Sequence, residues 1–454
     1  MENLSQEYEF WVGRMLQMSP SFQQVGRSGY HPGMETMKAF DAFLGHPHQK
    51  FQSVHVAGTN GKGSVSHMLA SVFAAHGKKT GLYTSPHLAD FRERIRINGE
   101  PISKEAVVDF FRRTASFLEE YHPSFFEITT AMAWDYFARE GVEVAMIEVG
   151  LGGRMDSTNL IMPILSIVTS IGYDHCDLLG YELHNIAAEK GGIIKPGVPV
   201  VLGNLEGEPL PVLCGMGWGQ RCLVHSCDPF VASYMSGVKY HFDLLESGDQ
   251  FGIPQVDELD LRGDYQLHNL CTVRAAMEVL ASKHMAEPFV WNPALVNVAL
   301  KEAAKRTKFR GRWEQLYAEP DVFCDIAHNE AGLQITMNQL KNTFEEGQKE
   351  CRYARLVLIL GMVGDKEIDR VKGLFPVADY YFTQAPGSRA MPAEKLATYF
   401  VEKARRCVVT TSVQEALIAY FSVAQPDDLV YVGGSSYVVA EALNHPIFAN
   451  PAKN

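Results

Sequence analysis

SVHVAGTNGKGSVSHMLASVFAAHG, running from Ser53 to Gly77, decides the fold class. Its first part, SVHVAG, is a short apolar run suited to a buried strand. Val65, Met68, Leu69, Val72 and Phe73 then recur at helical spacing, and Gly77 supplies a stop. Between strand and helix lies GTNGKGS, Gly58 to Ser64. Glycines let the backbone approach an anion closely, and the helix start turns unpaired N–H groups toward it. Lys62 can reach terminal phosphates, and the Ser64 hydroxyl can help hold a metal. The competing reading is an ordinary glycine-rich turn, but a lysine and a hydroxyl in this strand-to-helix setting argue for phosphate. The loop departs from G-x-x-x-x-G-K-[ST]: its first Gly stands closer to the Gly-Lys pair, and Gly63 separates Lys62 from Ser64. A generic GTPase or kinase loop is therefore excluded.

Working outward, VEVAMIEVG (Val142 to Gly150) and ILSIVTSIG (Ile164 to Gly172) are continuous apolar runs, as expected for parallel strands buried on both faces. From about Gly203 to Asp264 the texture turns to Gly, Pro and short mixed runs, which reads as a less regular, partly β appendage with YHFDLL as a short strand. A helix is expected from about His268 to Leu280. Arg355 to Gly361, Asp379 to Ala385, Arg406 to Ser412 and Asp428 to Ser435 read as a second set of strands alternating with helices. The polar stretch KEAAKRTKFRGR, Lys301 to Arg312, is the natural boundary, giving domains 1–306 and 307–454.

A chain of 454 residues is too long for one ordinary core, so two domains are expected. The 41 Lys+Arg against 53 Asp+Glu give a net charge of −12, which argues against a nucleic-acid partner. No apolar stretch is long enough to span a membrane, and MENLSQEYEFWVGRML lacks the layout of a signal peptide. Eight scattered Cys with no C-x-x-C pair read as reduced thiols, so a cytoplasmic setting is expected.

GTNGKGS resembles the phosphate loop of the Mur ligase superfamily. Further segments resemble the folylpolyglutamate synthase and dihydrofolate synthase members of it: TSPHL (Thr84 to Leu88), FRERIRING (Phe91 to Gly99), FFEITTAMA (Phe125 to Ala133), EVGLGGRMDSTN (Glu148 to Asn159), DHCDLLG (Asp174 to Gly180), AAEKGGIIK (Ala187 to Lys195), GRWE (Gly311 to Glu314) and DIAHNE (Asp325 to Glu330). GYHPGMETMKAFDAFLGHPHQ, Gly29 to Gln49, resembles the bacterial bifunctional enzymes of that group. The resemblance implies an α/β chain with an N-terminal P-loop ATPase domain, like the Mur ligase central domain, and a smaller C-terminal Rossmann-like domain. It also implies a monomer that uses ATP and Mg²⁺, with K⁺ as a candidate further ion.

The implied reaction begins with attack of a substrate carboxylate on the γ-phosphate. L-Glutamate then displaces phosphate from the acyl phosphate, with dihydropteroate and tetrahydrofolate or folylpolyglutamates as acceptors. Asn60, Gly61, Lys62, Gly63, Ser64, Asn269, Arg312 and Asp325 match nucleotide contacts, and Ser85, Glu148 and His175 match the metal set. Glu148 ends a strand, where open α/β sheets place ligands, and a carboxylate suits a hard cation. Imidazole is an unusual Mg²⁺ ligand, so His175 rests on the resemblance alone. Lys190, in EKGG, matches a lysine that is carbamylated in many members. Lys62, Lys190, Arg312 and His328 are the catalytic candidates. Ser124, Phe125, Phe126, Glu127, Met155, Asp156 and Ser157 match the pteroate-binding segments, although an FF pair is by default a core feature. Glu330 stands where the family usually has Pro. Two alternatives stay open: a folylpolyglutamate synthase without the first activity, or a Mur-type ligase with another acceptor. Against the second, only about 50 residues precede the loop, too few for a separate N-terminal domain.

Overall fold

The computed structural model describes residues 2–19, 33–205, 207–227, 259–364, 368–387 and 389–448. They form two compact units. The first comprises Met1–His87, Phe91–Asp260 and Gln266–Phe309; the second comprises Leu88–Asp90, Leu261–Tyr265 and Arg310–Asn454.

The first unit is built on β1 (Gln52–Ala57), β2 (Thr80–Tyr83), β3 (Ile95–Ile97), β4 (Glu100–Pro101), β5 (Val144–Glu148), β6 (Leu165–Val168), β7 (Val200–Leu202) and β8 (Val224–Ser226). They make one sheet in the order β4-β3-β2-β5-β1-β6-β7-β8. The six strands from β2 to β8 are parallel, and β3 and β4 add an antiparallel edge. Strands go outward from β1 on both sides, so β1 stands at the topological switch point, where such sheets open a crevice at their carboxyl ends.

Helices of this unit include α1 (Glu2–Met18), α2 (Glu35–Phe43), α3 (Lys62–Ala75), α4 (Lys104–Tyr121), α5 (Phe125–Arg139), α6 (Leu183–Gly191), α7 (Pro209–Gly219), α8 (Gln266–Ala281), α9 (Pro293–Lys301) and α10 (Ala303–Thr307), with a single short turn of helix at Cys176–Leu179. Helix α3 is buried continuously from Gly63 to Phe73, because the sheet covers one side and α8, α9 and α10 the other. Two of its buried polar residues are paired with the covering helices: Ser71 Oγ donates to Ala299 O at 2.8 Å, and His67 Nδ1 meets Thr307 Oγ1 at 2.7 Å. A second core layer lies on the opposite face, where Phe40, Phe110, Phe111, Trp134 and Phe137 are all essentially buried. Burying each such side chain contributes about 1.5–3 kcal/mol.

The second unit holds β9 (Glu314–Ala318), β10 (Asp321–Asp325), β11 (Arg355–Leu360), β12 (Ala378–Phe382), β13 (Ala404–Val409) and β14 (Asp428–Gly433), in the order β13-β12-β11-β14-β10-β9. All pairs are parallel except the β9–β10 hairpin. Helices α11 (Glu330–Lys349), α12 (Ala393–Thr398), α13 (Val413–Phe421) and α14 (Ser436–Leu443) accompany this sheet, and apolar clusters cover both of its faces. The expected α/β architecture with two parallel-rich sheets is therefore present.

The expectation of an irregular, partly β segment after Gly203 needs correction in its described part. PLPVLCGMGWG is helix α7, with Pro209 and Pro211 in its first turn, where a missing N–H costs nothing. Tertiary packing overrides its glycine content: a Cβ on Gly217 would come 2.5 Å from Val224 Cγ2, so only glycine lets this helix lie on β8. YHFDLL falls outside the described residues. Among the described residues no helix is long and apolar enough to cross a membrane.

Candidate active site

Gly58 to Ser64 turns from the end of β1 directly into α3. Gly58 (φ +149°) and Gly61 (φ +89°) occupy backbone conformations open to glycine. Crowding adds a second constraint, since a Cβ on Gly58 would lie 2.0 Å from Thr169 Oγ1 and one on Gly61 would lie 2.3 Å from Asn269 Oδ1. Asn269, on α8, thus lies against the loop, with its Nδ2 donating to Gln266 Oε1 at 2.8 Å.

The loop is braced by the segment following β6, whose role the sequence reading missed. Thr169 Oγ1 donates to Asn60 O at 2.6 Å. Ser170 Oγ donates to the same carbonyl at 2.9 Å and accepts from Asn60 N at 3.0 Å. Thr59 Oγ1 donates to Gly172 O and accepts from Gly172 N. Hydroxyl residues just past a buried parallel strand beside the switch point were the available signal.

Two lysines converge on one loop carbonyl. Lys62 Nζ donates to Gly58 O at 3.0 Å and to Thr59 O at 3.2 Å, and Lys190 Nζ, from α6, donates to Gly58 O at 3.0 Å. Lys190 is only 4% exposed. Burial, and then the charge of Lys62, bring its ammonium down to about 7. At neutral pH a large fraction is thus unprotonated amine.

Glu148 ends β5 and is buried. Its Oε2 accepts from Ser85 N at 3.1 Å and stands 3.7 Å from where a Cβ on Gly63 would be, which places Glu148 and Ser85 beside the loop. His175 has a left-handed backbone (φ +52°) and is part-exposed, with Nε2 4.0 Å from Asp174 Oδ2. Glu148 with the hydroxyls of Ser64 and Ser85 is a donor set that suits a hard cation such as Mg²⁺.

Two residues beyond Glu148, the backbone N–H groups of Gly150 and Leu151 donate to Asp156 Oδ2 at 3.0 and 2.9 Å. Burial pushes the Asp156 carboxyl up, although these N–H groups and Thr158 favour its charged form. Thr158 Oγ1 also meets the buried His55 Nε2 at 2.8 Å. Burial, and then Lys195, bring that imidazole down to about 3, so His55 is neutral. Asp156 therefore shapes the turn, flanked by the part-exposed Met155 and Ser157. Phe126 closes the other side: a Cβ on Gly150 would fall 2.4 Å from its Cζ, so the ring lies on the glycine backbone.

Ser124, Phe125 and Glu127 carry a structural load. Ser124 Oγ accepts from Glu127 N at 3.3 Å, and Glu127 Oε2 accepts from Ser124 N at 2.7 Å, a reciprocal cap at the start of α5. The S-x-x-E spacing was its legible signal. Phe125 is buried under the Arg94 guanidinium, 4.9 Å from its ring centroid, and Arg94 Nε donates to His87 Nδ1 at 2.7 Å. Arg94 is a further charged group that the sequence reading did not single out. Ser124→Ala should lower stability by about 1 kcal/mol. The readout is a lower urea midpoint with an unchanged slope, and an unshifted midpoint would remove the cap from the account.

In the second unit, Asp325 ends β10. It accepts from Tyr265 Oη at 2.5 Å and from Trp313 N and Ala327 N at 2.8 Å each. Burial raises its carboxyl, while Tyr265 and the nearby Arg312 charge oppose this. Arg312 is half-buried, next to the left-handed Trp313 (φ +45°). His328 Nδ1 donates to Ile326 O at 3.0 Å. Asn329 caps α11 by accepting from Gly332 N at 2.9 Å, and Glu330 takes the first helical position as an acidic residue suited to a helix start.

Residues 56–201 match the family described as Mur ligase middle domain, and residues 311–436 match that described as Mur ligase, glutamate ligase domain. The chain is 36% identical over 329 residues to the dihydrofolate synthase/folylpolyglutamate synthase of Bacillus subtilis, covering 70% of this chain and 74% of that one. It is 33% identical over 437 residues to the folylpolyglutamate synthase of Lacticaseibacillus casei, covering 92% and 95%. The solved structure of Mycobacterium tuberculosis folylpolyglutamate synthase complexed with ADP is similar with a TM-score of 0.80 at 26% identity, over 97% of this chain and 98% of that one.

Proposed function

Because the chain belongs to the dihydrofolate synthase/folylpolyglutamate synthase family of Mur ligases, we propose that it joins L-glutamate to folate-type acceptors at the expense of ATP. The observation that carries the reading is the phosphate loop, with Lys62 and Lys190 on the Gly58 carbonyl and Glu148 beside Gly63.

A carboxylate oxygen of the acceptor attacks the γ-phosphorus, the bond to the bridging oxygen breaks, and ADP leaves. The amino nitrogen of L-glutamate then attacks the acyl-phosphate carbon. Phosphate departs with the C–O bond pair, and the nitrogen gives up a proton. Lys62, now folded onto backbone carbonyls, exchanges them for phosphate oxygens. Glu148, Ser85 and Ser64 are the proposed holders of Mg²⁺, which when bound offsets phosphate charge, with His175 as a further ligand. Arg312 is proposed to stabilise charge on the transferring phosphoryl group, as positioned cations do. Asn269 and Asp325 are proposed nucleotide contacts, and His328 a proton-handling group. Phe126, Met155, Asp156 and Ser157 are proposed to frame the pteridine portion, with Ser124, Phe125 and Glu127 supporting that wall.

Lys190 is proposed to be carbamylated. The modification starts from a neutral amine attacking CO₂, and burial supplies that neutral amine near pH 7. An intact mass lacking the added carboxylate in active, bicarbonate-treated protein would reject it.

Labelling the acceptor carboxylate with ¹⁸O tests the acyl-phosphate step: one label should appear in the released phosphate, and unlabelled phosphate would rule the intermediate out. The Lacticaseibacillus casei relative is named folylpolyglutamate synthase alone, whereas the Bacillus subtilis relative is named for both activities. We read this chain as bifunctional, with dihydropteroate a second acceptor. Glutamate addition to tetrahydrofolate but not to dihydropteroate would reduce the assignment to polyglutamylation.

A further inference from the structure

The turn that leads from α2 toward β1 gathers three metal-binding side chains that the proposed ligase chemistry leaves unused. Asp41 lies near the end of α2 and is 2% exposed. Its two carboxylate oxygens face separate imidazoles, with Oδ2 2.7 Å from His46 Nδ1 and Oδ1 2.5 Å from His48 Nδ1. One donor atom from each residue lies within 4.8 Å of the others.

Local geometry produces this convergence. Gly45 (φ +75°) and His46 (φ +55°) are both left-handed and reverse the chain after the helix, and Pro47 opens a single 3₁₀ turn, Pro47–Gln49. His46 and His48 are thereby folded back onto Asp41 from two directions. The His48 ring rests on Trp134 at a centroid distance of 5.6 Å, and its side chain is 11% exposed, whereas His46 is 55% exposed. The cluster is held from behind and opens to solvent on the His46 side.

A buried carboxylate is satisfied by hydrogen bonds or by a bound cation, and both imidazoles turn a nitrogen toward this one. We propose that Asp41, His46 and His48 form a divalent-metal site, distinct from the phosphate loop, that takes Zn²⁺ in preference to Mg²⁺. Two imidazole nitrogens and one carboxylate match the preference of zinc, whereas magnesium favours an all-oxygen set. A tetrahedral zinc with ligand bonds of about 2.1 Å spaces its ligand atoms about 3.4 Å apart. The ligand atoms, all within 4.8 Å of one another, must spread from hydrogen-bond spacing to admit the ion, and His46, 55% exposed, has room to move outward. Water fills the remaining position on the solvent side. The ion pins the end of α2 to the turn before β1, the strand that carries the phosphate loop.

The test uses full-length, chelator-stripped protein in excess Mg²⁺, titrated calorimetrically with Zn²⁺ and followed with Co²⁺ by visible absorption. His46→Asn is the main variant, because asparagine tolerates the left-handed backbone at that position; His48→Asn is the second. Both leave all eight cysteines in place, so the difference from wild type isolates this cluster. Wild type should bind one Zn²⁺ more than His46→Asn, or bind it at least about tenfold more tightly. The Co²⁺ band should weaken in both variants, and Zn²⁺ should raise the unfolding temperature of wild type alone. Equal zinc stoichiometry and affinity in wild type and in a His46→Asn variant with wild-type metal-free unfolding temperature would overturn the proposal, leaving a purely hydrogen-bonded trio.

Discussion

Replacing Glu148 by Gln is expected to lower ligase turnover by about 10²–10³-fold while the protein still folds. Gln keeps an oxygen for the 3.1 Å hydrogen bond from Ser85 N, so the geometry at the end of β5 survives. What goes is the charge. The loop beside it carries Lys62 and receives Lys190 from α6, and the buried Arg94 feels the Glu148 carboxylate as a favourable counter-charge. The variant should therefore unfold at a somewhat lower temperature. Its diagnostic property is a shifted requirement for Mg²⁺, with part of the lost turnover returning as the ion is raised. Wild-type turnover at every Mg²⁺ concentration would make Glu148 a purely structural residue.

Replacing Lys190 by Met should abolish most of the ligase activity and, in carbonate-free buffer, stabilise the fold under neutral and acidic conditions. The sign follows from proton binding. In the unfolded chain the ammonium titrates near the ordinary 10.5, whereas burial and then Lys62 bring it down to about 7 in the folded protein. Between those values the unfolded chain holds more protons, so wild-type stability rises with pH. The burial cost is complete below about 7 and gone above about 10.5. Lys190→Met should gain on the order of a few kcal/mol at pH 6, with the gain fading as pH climbs toward 10. Denaturant titrations of both proteins across that range are the check. A difference independent of pH would mean that Lys190 is not held as a buried amine.

Legibility in the sequence followed how local each signal was. The β1–loop–α3 unit could be read because an apolar run, a glycine turn and a helical repeat sit within one continuous stretch. β11, β12 and β14 could be read as buried parallel strands for the same reason. Helix α7 could not, since its glycines and prolines argue against helix until the packing of Gly217 on Val224 is seen. The β9–β10 hairpin went unread because its ends are the GRWE and DIAHN segments, which draw attention as motifs rather than as strands.

The site shows the same division. Gly58 to Ser64 and the strand-end Glu148 carry their chemistry in residue type and position. Lys190 does not, because its perturbed amine arises from burial and from Lys62, far away in the chain. Nor does the clamp of Thr169, Ser170 and Gly172 on the loop, which depends on β1 and β6 pairing side by side.

The most direct measurement is the mass of the folate product after the purified protein is incubated with ATP, Mg²⁺, L-glutamate and tetrahydrofolate. The account predicts tetrahydrofolate carrying an added glutamyl residue, one for each ATP converted to ADP and phosphate. Hydrolysis of ATP with tetrahydrofolate returned unchanged would contradict it.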